Sequence, residues 1–399
     1  MDNFFNKKKQ VLDYEKFDIN SKIHRTLIEI IEGINDIKIS NSSNNKLENL
    51  SNSQKKSYAN NLKYIKLNQS LSIGGGLITN LGSGFITFYT AYLTLDNTIS
   101  IGEMAAIQMV VGQLTSTINN LTNTVSTLQD TKFSLERILE TQIVPTDNIG
   151  KEKANNNTSI QFKDVSFSYS ELNKNILNKL NFTIEKGRTT AIVGLSGSGK
   201  TTLIKMLLKL IQPQTGEIIF NNNLSINKIN TDEWYKQCGA VMQDGYIFTD
   251  TIKNNIVLNS TNYNKTKYEE SLRCAELLSF VENLPIKHDT IIGKEGLNLS
   301  SGQKQRILLA RLFYKNPKFI FLDEATNSLD FETESKIMNN INNFFVESTK
   351  VIVAHRLYTI KHADKIIILK NGEIAEIGTH EDLLENKSFY FNLVQEQLN

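Results

Sequence analysis

The chain has 399 residues, with 44 Lys and Arg against 42 Asp and Glu and a formal net charge of +2. That is length for roughly two or three domains, and a charge too balanced for a protein that coats nucleic acid with basic residues. Apolar residues make up 40% of the chain and its mean hydropathy is -0.28, which excludes a chain made mostly of membrane spans but leaves room for two. Cys238 and Cys274 are too few for a disulfide framework and lack metal-ligand spacing, so a reducing interior is expected.

Met1 to Gln10 carries Lys7 to Lys9 without an apolar run behind them, so no secretory signal is readable and the lysines read as a solvated or headgroup-facing end. Ile23, Leu27, Ile30, Ile31, Ile34 and Ile37 then predict an amphipathic helix, interrupted at Gly33 and followed by the Asn/Ser-rich stretch Asn41 to Ser53. Residues 67–95 and 104–129 are free of charge, and each could cross roughly 30 Å of hydrocarbon at about 1.5 Å per residue. The first is dominated by residues such as Ile73, Leu77, Leu81, Phe85 and Phe88, with Gly74 to Gly76, Gly82 and Gly84 suiting close helix packing. The second fails a plain hydropathy threshold because it carries Gln108, Gln113, Thr115, Asn119, Asn120 and Thr124.

Its apolar residues nevertheless fall at Ile107, Val111, Leu114, Ile118, Leu121, Val125 and Leu128, one stripe of a helix. Such a helix could turn the stripe to lipid or neighbouring helices and its polar face to a wet pathway. A soluble coiled-coil strand is the alternative, and the lack of charges beside the seam counts against it. Lys55, Lys56, Lys63 and Lys66 precede the first window, Lys132 and Arg137 follow the second, and the connection Asp96 to Glu103 has acids and no base. Both outer ends are therefore expected in the cytoplasm, which makes a membrane hairpin. Residues 141–158, with Pro145, Gly150 and Asn155 to Asn157, read as a linker. From 159 to 399, β-branched runs alternate with helical patterns, as in an α/β domain.

The sharpest chemical signal is Gly194-Leu195-Ser196-Gly197-Ser198-Gly199-Lys200-Thr201, set between the strand-like Thr190 to Val193 and the helix-like Thr202 to Ile211. Its glycines let backbone N–H groups wrap phosphates, Lys200 can reach the β- and γ-phosphates, and Thr201 can ligate Mg²⁺ at a helix N-terminus. A second acidic centre, Asp323 and Glu324, follows the apolar run Phe319 to Leu322; one acid could hold Mg²⁺ through water and the other orient an attacking water.

With Leu299-Ser300-Ser301-Gly302-Gln303 shortly before Asp323, the chain resembles the ATP-binding-cassette (ABC) proteins, whose signature this segment is similar to. The resemblance implies ATP and Mg²⁺ as ligands and further roles by position. Tyr169 corresponds to the aromatic that stacks on adenine, and Gln243 to the glutamine that contacts Mg²⁺ and the attacking water and links the site to the membrane domain. Ser328-Leu329-Asp330 corresponds to the loop that touches a partner cassette, and His355 to the histidine on the γ-phosphate. Thr202 and Gln303 complete the binding set, while His24, His288, His362 and His380 match nothing and are expected on the surface.

The first third resembles the membrane half of an ABC exporter, with a coupling helix at about residues 31–39 and the last two spans at 67–95 and 104–129. The expected architecture is thus an α/β P-loop NTPase domain at 159–399 after an all-α partial membrane region at 1–140. Gln237 to Phe248 is worded like bacterial peptidase-containing bacteriocin exporters, which points to a peptide cargo and the bacterial inner membrane; an exporter of lipid or protein cargo, and an orphan ATP-binding fragment acting only as a partner subunit, are the alternatives. Two departures stand out. Ser301 occupies a position where the family usually has glycine, and spans one to four and the peptidase have no counterpart, since Cys238 and Cys274 both lie in the cassette. The expected partners are a second half-transporter, a separate chain supplying the first four spans, the cargo and the lipid bilayer, with no nucleic acid.

Overall fold

The computed structural model describes residues 2–142, 150–152, 159–170, 175–220, 224–258, 263–354 and 356–398. They form two compact units, Met1–Gln142 and Ile143–Asn399.

The first unit is helical: α1 (Asp2–Glu32), α2 (Ile34–Ile39), α3 (Ser43–Leu95) and α4 (Ile101–Gln142). Gly33 separates α1 from α2, and a side chain there would press on the Glu29 carbonyl at 3.0 Å. Asn41, with φ of 51°, turns the chain into α3. The Asn/Ser-rich stretch is helix from Ser43 onward. Ser53 donates to the Asn49 carbonyl at 3.0 Å within its own helix, α1 packs along α3, and the buried Asn60 amide donates to the Leu12 carbonyl at 3.0 Å. Tertiary packing here overrides weak local propensity.

Helix α3 has 53 residues, about 80 Å at the α-helical rise and far more than a bilayer core needs. Among the described residues it is the helix that contains a window apolar enough to cross a membrane, by length and composition; α4 does not reach that threshold. The tight turn between them is closed by Glu103, whose carboxylate accepts from the Ser100 N–H at 2.7 Å. That bond holds the Glu103 carboxyl below its ordinary range. Gln108 departs from the expected wet face. It accepts from Thr87 Oγ1 at 3.1 Å and donates to Thr90 Oγ1 at 3.2 Å, clamping α4 to α3, a polar tie of the kind that joins helices in lipid.

The second unit is α/β. Strands β1 (Ile160–Phe167) and β2 (Leu177–Ile184) precede β3 (Thr189–Gly194) and α5 (Lys200–Leu207); β4 (Thr215–Phe220) and β5 (Leu224–Ser225) lead to α6 (Thr231–Gln237) and β6 (Cys238–Val241). A helical stretch follows, with β7 (Asp250–Thr251), α7 (Ile252–Val257), α8 (Lys265–Cys274), α9 (Leu278–Glu282), β8 (Ile291–Ile292) and α10 (Ser301–Lys315). The chain closes with β9 (Phe319–Asp323), α11 (Phe331–Phe344), β10 (Thr349–Val353), α12 (Leu357–Ile360), β11 (Lys365–Lys370), β12 (Glu373–Gly378), α13 (His380–Glu385) and α14 (Phe389–Leu398).

One sheet runs β12-β11-β3-β10-β9-β6, a second runs β2-β1-β4-β5, and β7 pairs β8. In the first, β11, β3, β10, β9 and β6 are parallel, and their near-continuous apolar sequences, such as Phe319 to Leu322, fit strands covered on both faces. Trp234 is fully buried where the sheets meet: its ring lies 5.4 Å from Phe220 of β4 and 4.8 Å from Phe319 of β9, and its Nε1 donates to the Leu207 carbonyl at 2.9 Å. His288 and His380 do more than face solvent, since each Nδ1 meets a tyrosine hydroxyl, of Tyr268 at 3.3 Å and of Tyr390 at 2.7 Å.

Trp234→Ala should therefore lower the unfolding free energy of this unit by about 3–5 kcal/mol, the range for emptying a large aromatic core position. Urea denaturation of the full chain, followed by circular dichroism, checks it; an unchanged midpoint would contradict the packing described.

Candidate functional site

Parallel register gathers the candidate residues at one edge of the large sheet. Val353 of β10 stands opposite Ile192 of β3 and Asp323 of β9, and Val241 of β6 opposite Leu322. The carboxyl ends of four neighbouring strands thus open onto the same side, where ligands bind in open α/β sheets. Gly194 to Gly199 leaves β3 there, Glu324 leaves β9, and Gln243 lies in the exposed turn just after β6. His355 lies outside the described residues.

The loop from Gly194 to Thr201 is held close to the sheet. A Cβ on Gly194 would overlap the Leu369 carbonyl, and one on Gly199, whose φ is 101°, would overlap the Leu177 side chain. Ser196 and Gly197 are exposed; Ser198 and Lys200 are buried. Ser198 Oγ has no hydrogen-bond partner. Lys200 Nζ donates to the Gly194 and Leu195 carbonyls at 2.9 Å each, folding its ammonium onto its own loop. Burial lowers its pKa, against the pull of Glu324 and Asp323. Backbone N–H groups at the start of α5 add a favourable dipole for an anion.

Asp323 has no exposed surface, and among the described residues neither of its carboxylate oxygens has a hydrogen-bond partner. Burial raises its pKa; the nearby Thr201 hydroxyl and Lys200 oppose that rise, although Thr201 makes no hydrogen bond of normal geometry to it. Mg²⁺ is held by one or two carboxylates together with phosphates and waters, and an unpaired buried carboxylate beside the Thr201 hydroxyl fits that demand. Among the described residues no group of three or more His, Cys, Asp or Glu side chains forms a metal cage, so a metal here would need oxygens from a nucleotide.

Glu324 adopts a left-handed backbone, φ 52°, which costs a non-glycine residue roughly 1–3 kcal/mol and gathers at functional sites. Its N–H donates to the Val353 carbonyl at 3.1 Å, and the Asn327 amide donates to its carboxylate at 2.6 Å. Tyr169 is exposed, stands edge-on to Phe167 at 4.9 Å, and brings its hydroxyl to 3.5 Å from that of Thr202. An open aromatic face thus borders the first turn of α5.

Ser300 caps α10: it accepts from the Gln303 N–H at 3.2 Å while Gln303 Oε1 accepts from the Ser300 N–H at 2.9 Å, a capping box. Ser301 is the first residue of α10, so serine fits the helix without strain. Gly302 lies against the Ser328 carbonyl, 3.1 Å from where a Cβ would stand. Asp330 caps α11 by accepting from the Thr333 N–H at 2.9 Å, which lowers its pKa. Four residues were not singled out by their sequence: Asn327, Gln305, and the paired Arg356 and buried Glu334, of which Arg356 also donates to the Leu329 carbonyl at 3.0 Å. A run of residues around a known strand end hints at Asn327; nothing local hints at the other three.

Comparison with known proteins agrees with this geometry. The family model described as "ABC transporter" matches residues 177–327. A second, the Sec63/Sec62 complex-interacting family, matches 107–193; that stretch begins within α4, crosses the division between the two units and ends before the phosphate loop, so it describes no folded unit of this chain. The Alpha-hemolysin translocation ATP-binding protein HlyB of Escherichia coli O157:H7 is 37% identical over 77% of this chain and 44% of its own length. The putative multidrug export ATP-binding/permease protein YgaD of Bacillus subtilis is 32% identical over 79% of this chain and 55% of its own length. The chain thus spans about half the length of these two relatives. A putative multidrug export ATP-binding/permease protein of Staphylococcus aureus is 32% identical over 96% of this chain and 67% of its own length. Among solved structures, a bacterial Atm1-family ABC exporter with ATP bound superposes with a TM-score of 0.92 at 25% identity, covering 100% of this chain and 70% of that one.

A raised pKa means that the charged Asp323 costs stability at any pH above its folded value. Asp323→Asn should therefore raise the thermal midpoint by about 2–4 °C without ligand and shrink the further rise that Mg²⁺ with ATP gives the wild type. A variant that melts like the wild type under both conditions would contradict this reading of the acid.

Proposed function

The chain belongs to the ABC transporter family, and from that premise we propose that it is the ATP-hydrolysing part of an exporter moving a polypeptide across a bacterial cell membrane. The observation that carries the ATPase reading is the convergence of Lys200, the unpaired buried Asp323 and Glu324 at aligned strand ends.

In the proposed cycle Tyr169 supplies the surface for adenine, and the N–H groups from Gly194 to Thr202 cradle the phosphates. Lys200 exchanges its own loop carbonyls for phosphate oxygens. Bound Mg²⁺, held by Thr201 and Asp323 with Gln243 at its edge, would neutralise phosphate charge. A second cassette completes the site by presenting the residues equivalent to Ser300, Ser301, Gly302 and Gln303, with Asp330 at the shared boundary. Glu324 accepts a hydrogen bond from the attacking water and orients it in line with the γ-phosphoryl, whose bond to the leaving oxygen breaks. Lys200, and His355 by resemblance, stabilise the developing charge.

Helices α3 and α4 are proposed to cross the membrane as a hairpin, about residues 67–95 and 104–129, with residues 141–158 as the linker to a cytoplasmic cassette at 159–399. Their exposed apolar residues, such as Phe85, Phe88, Ile118 and Leu121, support that reading. A separate chain or segment would supply the first four spans, and pairing would be with a second half-transporter, identical or not. Two features support a polypeptide cargo: the wording of Gln237 to Phe248 and the 37% identity to a protein named for haemolysin translocation. A small-molecule cargo is the second reading, favoured by the staphylococcal relative named for multidrug export, which matches along 96% of this chain.

Glu324→Gln should leave ATP binding intact and slow turnover by about 100-fold or more, the scale of losing a positioned base; full turnover would remove Glu324 from the role. For the cargo, inverted vesicles carrying the chain with its membrane partner should take up a labelled peptide on addition of ATP. Uptake of a lipophilic dye without the peptide would favour the second reading.

A further inference from the structure

Gln305 stands on α10, two residues beyond the Ser300–Gln303 segment, and none of the roles above uses it. Its Nε2 donates to the Glu324 carbonyl at 3.2 Å, and its Oε1 accepts from the Ser328 N–H at 3.0 Å. Both bonds reach one short turn. Within that turn the Asn327 N–H donates to the same Glu324 carbonyl at 3.3 Å and the Leu329 N–H to the Thr326 carbonyl at 3.0 Å. From the opposite side Arg356 donates to the Leu329 carbonyl at 3.0 Å and pairs with Glu334, which also accepts from Thr326 Oγ1 at 2.8 Å. The turn that carries Glu324 in its left-handed conformation is thus braced by Gln305 of α10 and by Arg356 together with Glu334 of α11.

A side-chain amide is suited to this place because it offers a donor and an acceptor from one planar group. It takes up the Ser328 N–H and, four residues away, shares the Glu324 carbonyl with the Asn327 N–H, a carbonyl oxygen having room for two donors. The bracing helix is also the one whose first turn holds Ser300 and Gly302.

We propose that Gln305 is a positioning residue that ties Glu324 and Ser328 to α10, so that a shift of this helix on engaging the partner's nucleotide is passed to the chain's own Glu324. The two half-sites that one chain contributes are then joined through a single amide. This rests on the paired-cassette reading given above. The side chain acts through the backbone of Glu324 and touches no reacting atom.

The test uses the full chain and two variants. Gln305→Ala removes both bonds; Gln305→Glu keeps an acceptor for the Ser328 N–H but loses the donor to Glu324 and sets a carboxylate oxygen against its carbonyl. Hydrogen exchange over residues 324–330 and steady-state ATPase are measured with the thermal midpoint. In Gln305→Ala, exchange at Ser328 should quicken about tenfold and kcat should fall about tenfold, the scale of one lost hydrogen bond, with KM for ATP changed less than about twofold. In Gln305→Glu, Ser328 should stay protected while kcat still falls. Unchanged Ser328 exchange in Gln305→Ala would overturn the proposal, as would kcat and thermal midpoint falling together in both variants with KM rising, the mark of a packing residue. If the wild type binds ATP but does not turn it over, the ATPase reading fails on its own. The exchange arm then still decides whether Gln305 braces the turn.

Discussion

A carboxylate with no exposed surface and no hydrogen bond is expensive to keep inside a protein, and the cassette is arranged around one. Asp323 ends β9 beneath the Thr201 hydroxyl, one strand removed from the β3 loop whose Lys200 is turned back onto the Gly194 and Leu195 carbonyls. Burial pushes the acid's pKa up and the ammonium's down, and the attraction between the two offsets this only in part. The arrangement becomes favourable when a polyanion brings a cation with it, because phosphate oxygens can replace the loop carbonyls on Lys200 and a hydrated Mg²⁺ can take up the free oxygens of Asp323.

The rest of the unit serves that centre. Parallel pairing sets the ends of β3, β10, β9 and β6 level, and the tight backing of Gly194 by Leu369 and of Gly199 by Leu177 lets the phosphate loop lie flat on the sheet. Trp234 locks the antiparallel sheet to β9 from below. Next to the unpaired acid, the strained Glu324 turn is secured by backbone and amide bonds from three directions, from Val353, from Asn327 and from Gln305. A left-handed backbone at a non-glycine residue persists only where its surroundings hold it, and here they do.

Much of this was legible in the sequence where function depends on consecutive residues. Gly194 to Thr201 announces its loop because glycine spacing, lysine and threonine act together within one turn, and Phe319 to Glu324 announces a buried strand ending in acids. What was not legible depends on neighbours distant in the chain. Gln305 looks like an ordinary polar residue of a helix until the turn at 324–330 is seen beneath it, and Glu334 and Arg356 are separated by a helix and a strand. Asn41 to Ser53 is rich in residues that favour helix only weakly, yet packing of α1 against α3 carries helix through most of it. Gln108 reads as part of a wet face, and instead spends both ends of its amide on Thr87 and Thr90. Ser301, a departure from the family's glycine, sits without strain at the first position of α10.

The most direct test of the account is a structure of the full chain determined with Mg²⁺ and a non-hydrolysable ATP analogue. The expected result is the triphosphate in the Gly194–Thr201 loop, Lys200 Nζ moved from the Gly194 and Leu195 carbonyls onto phosphate oxygens, and a metal water hydrogen-bonded to Asp323. A nucleotide bound elsewhere, or Lys200 still on its own loop with Asp323 still unpaired, would contradict it.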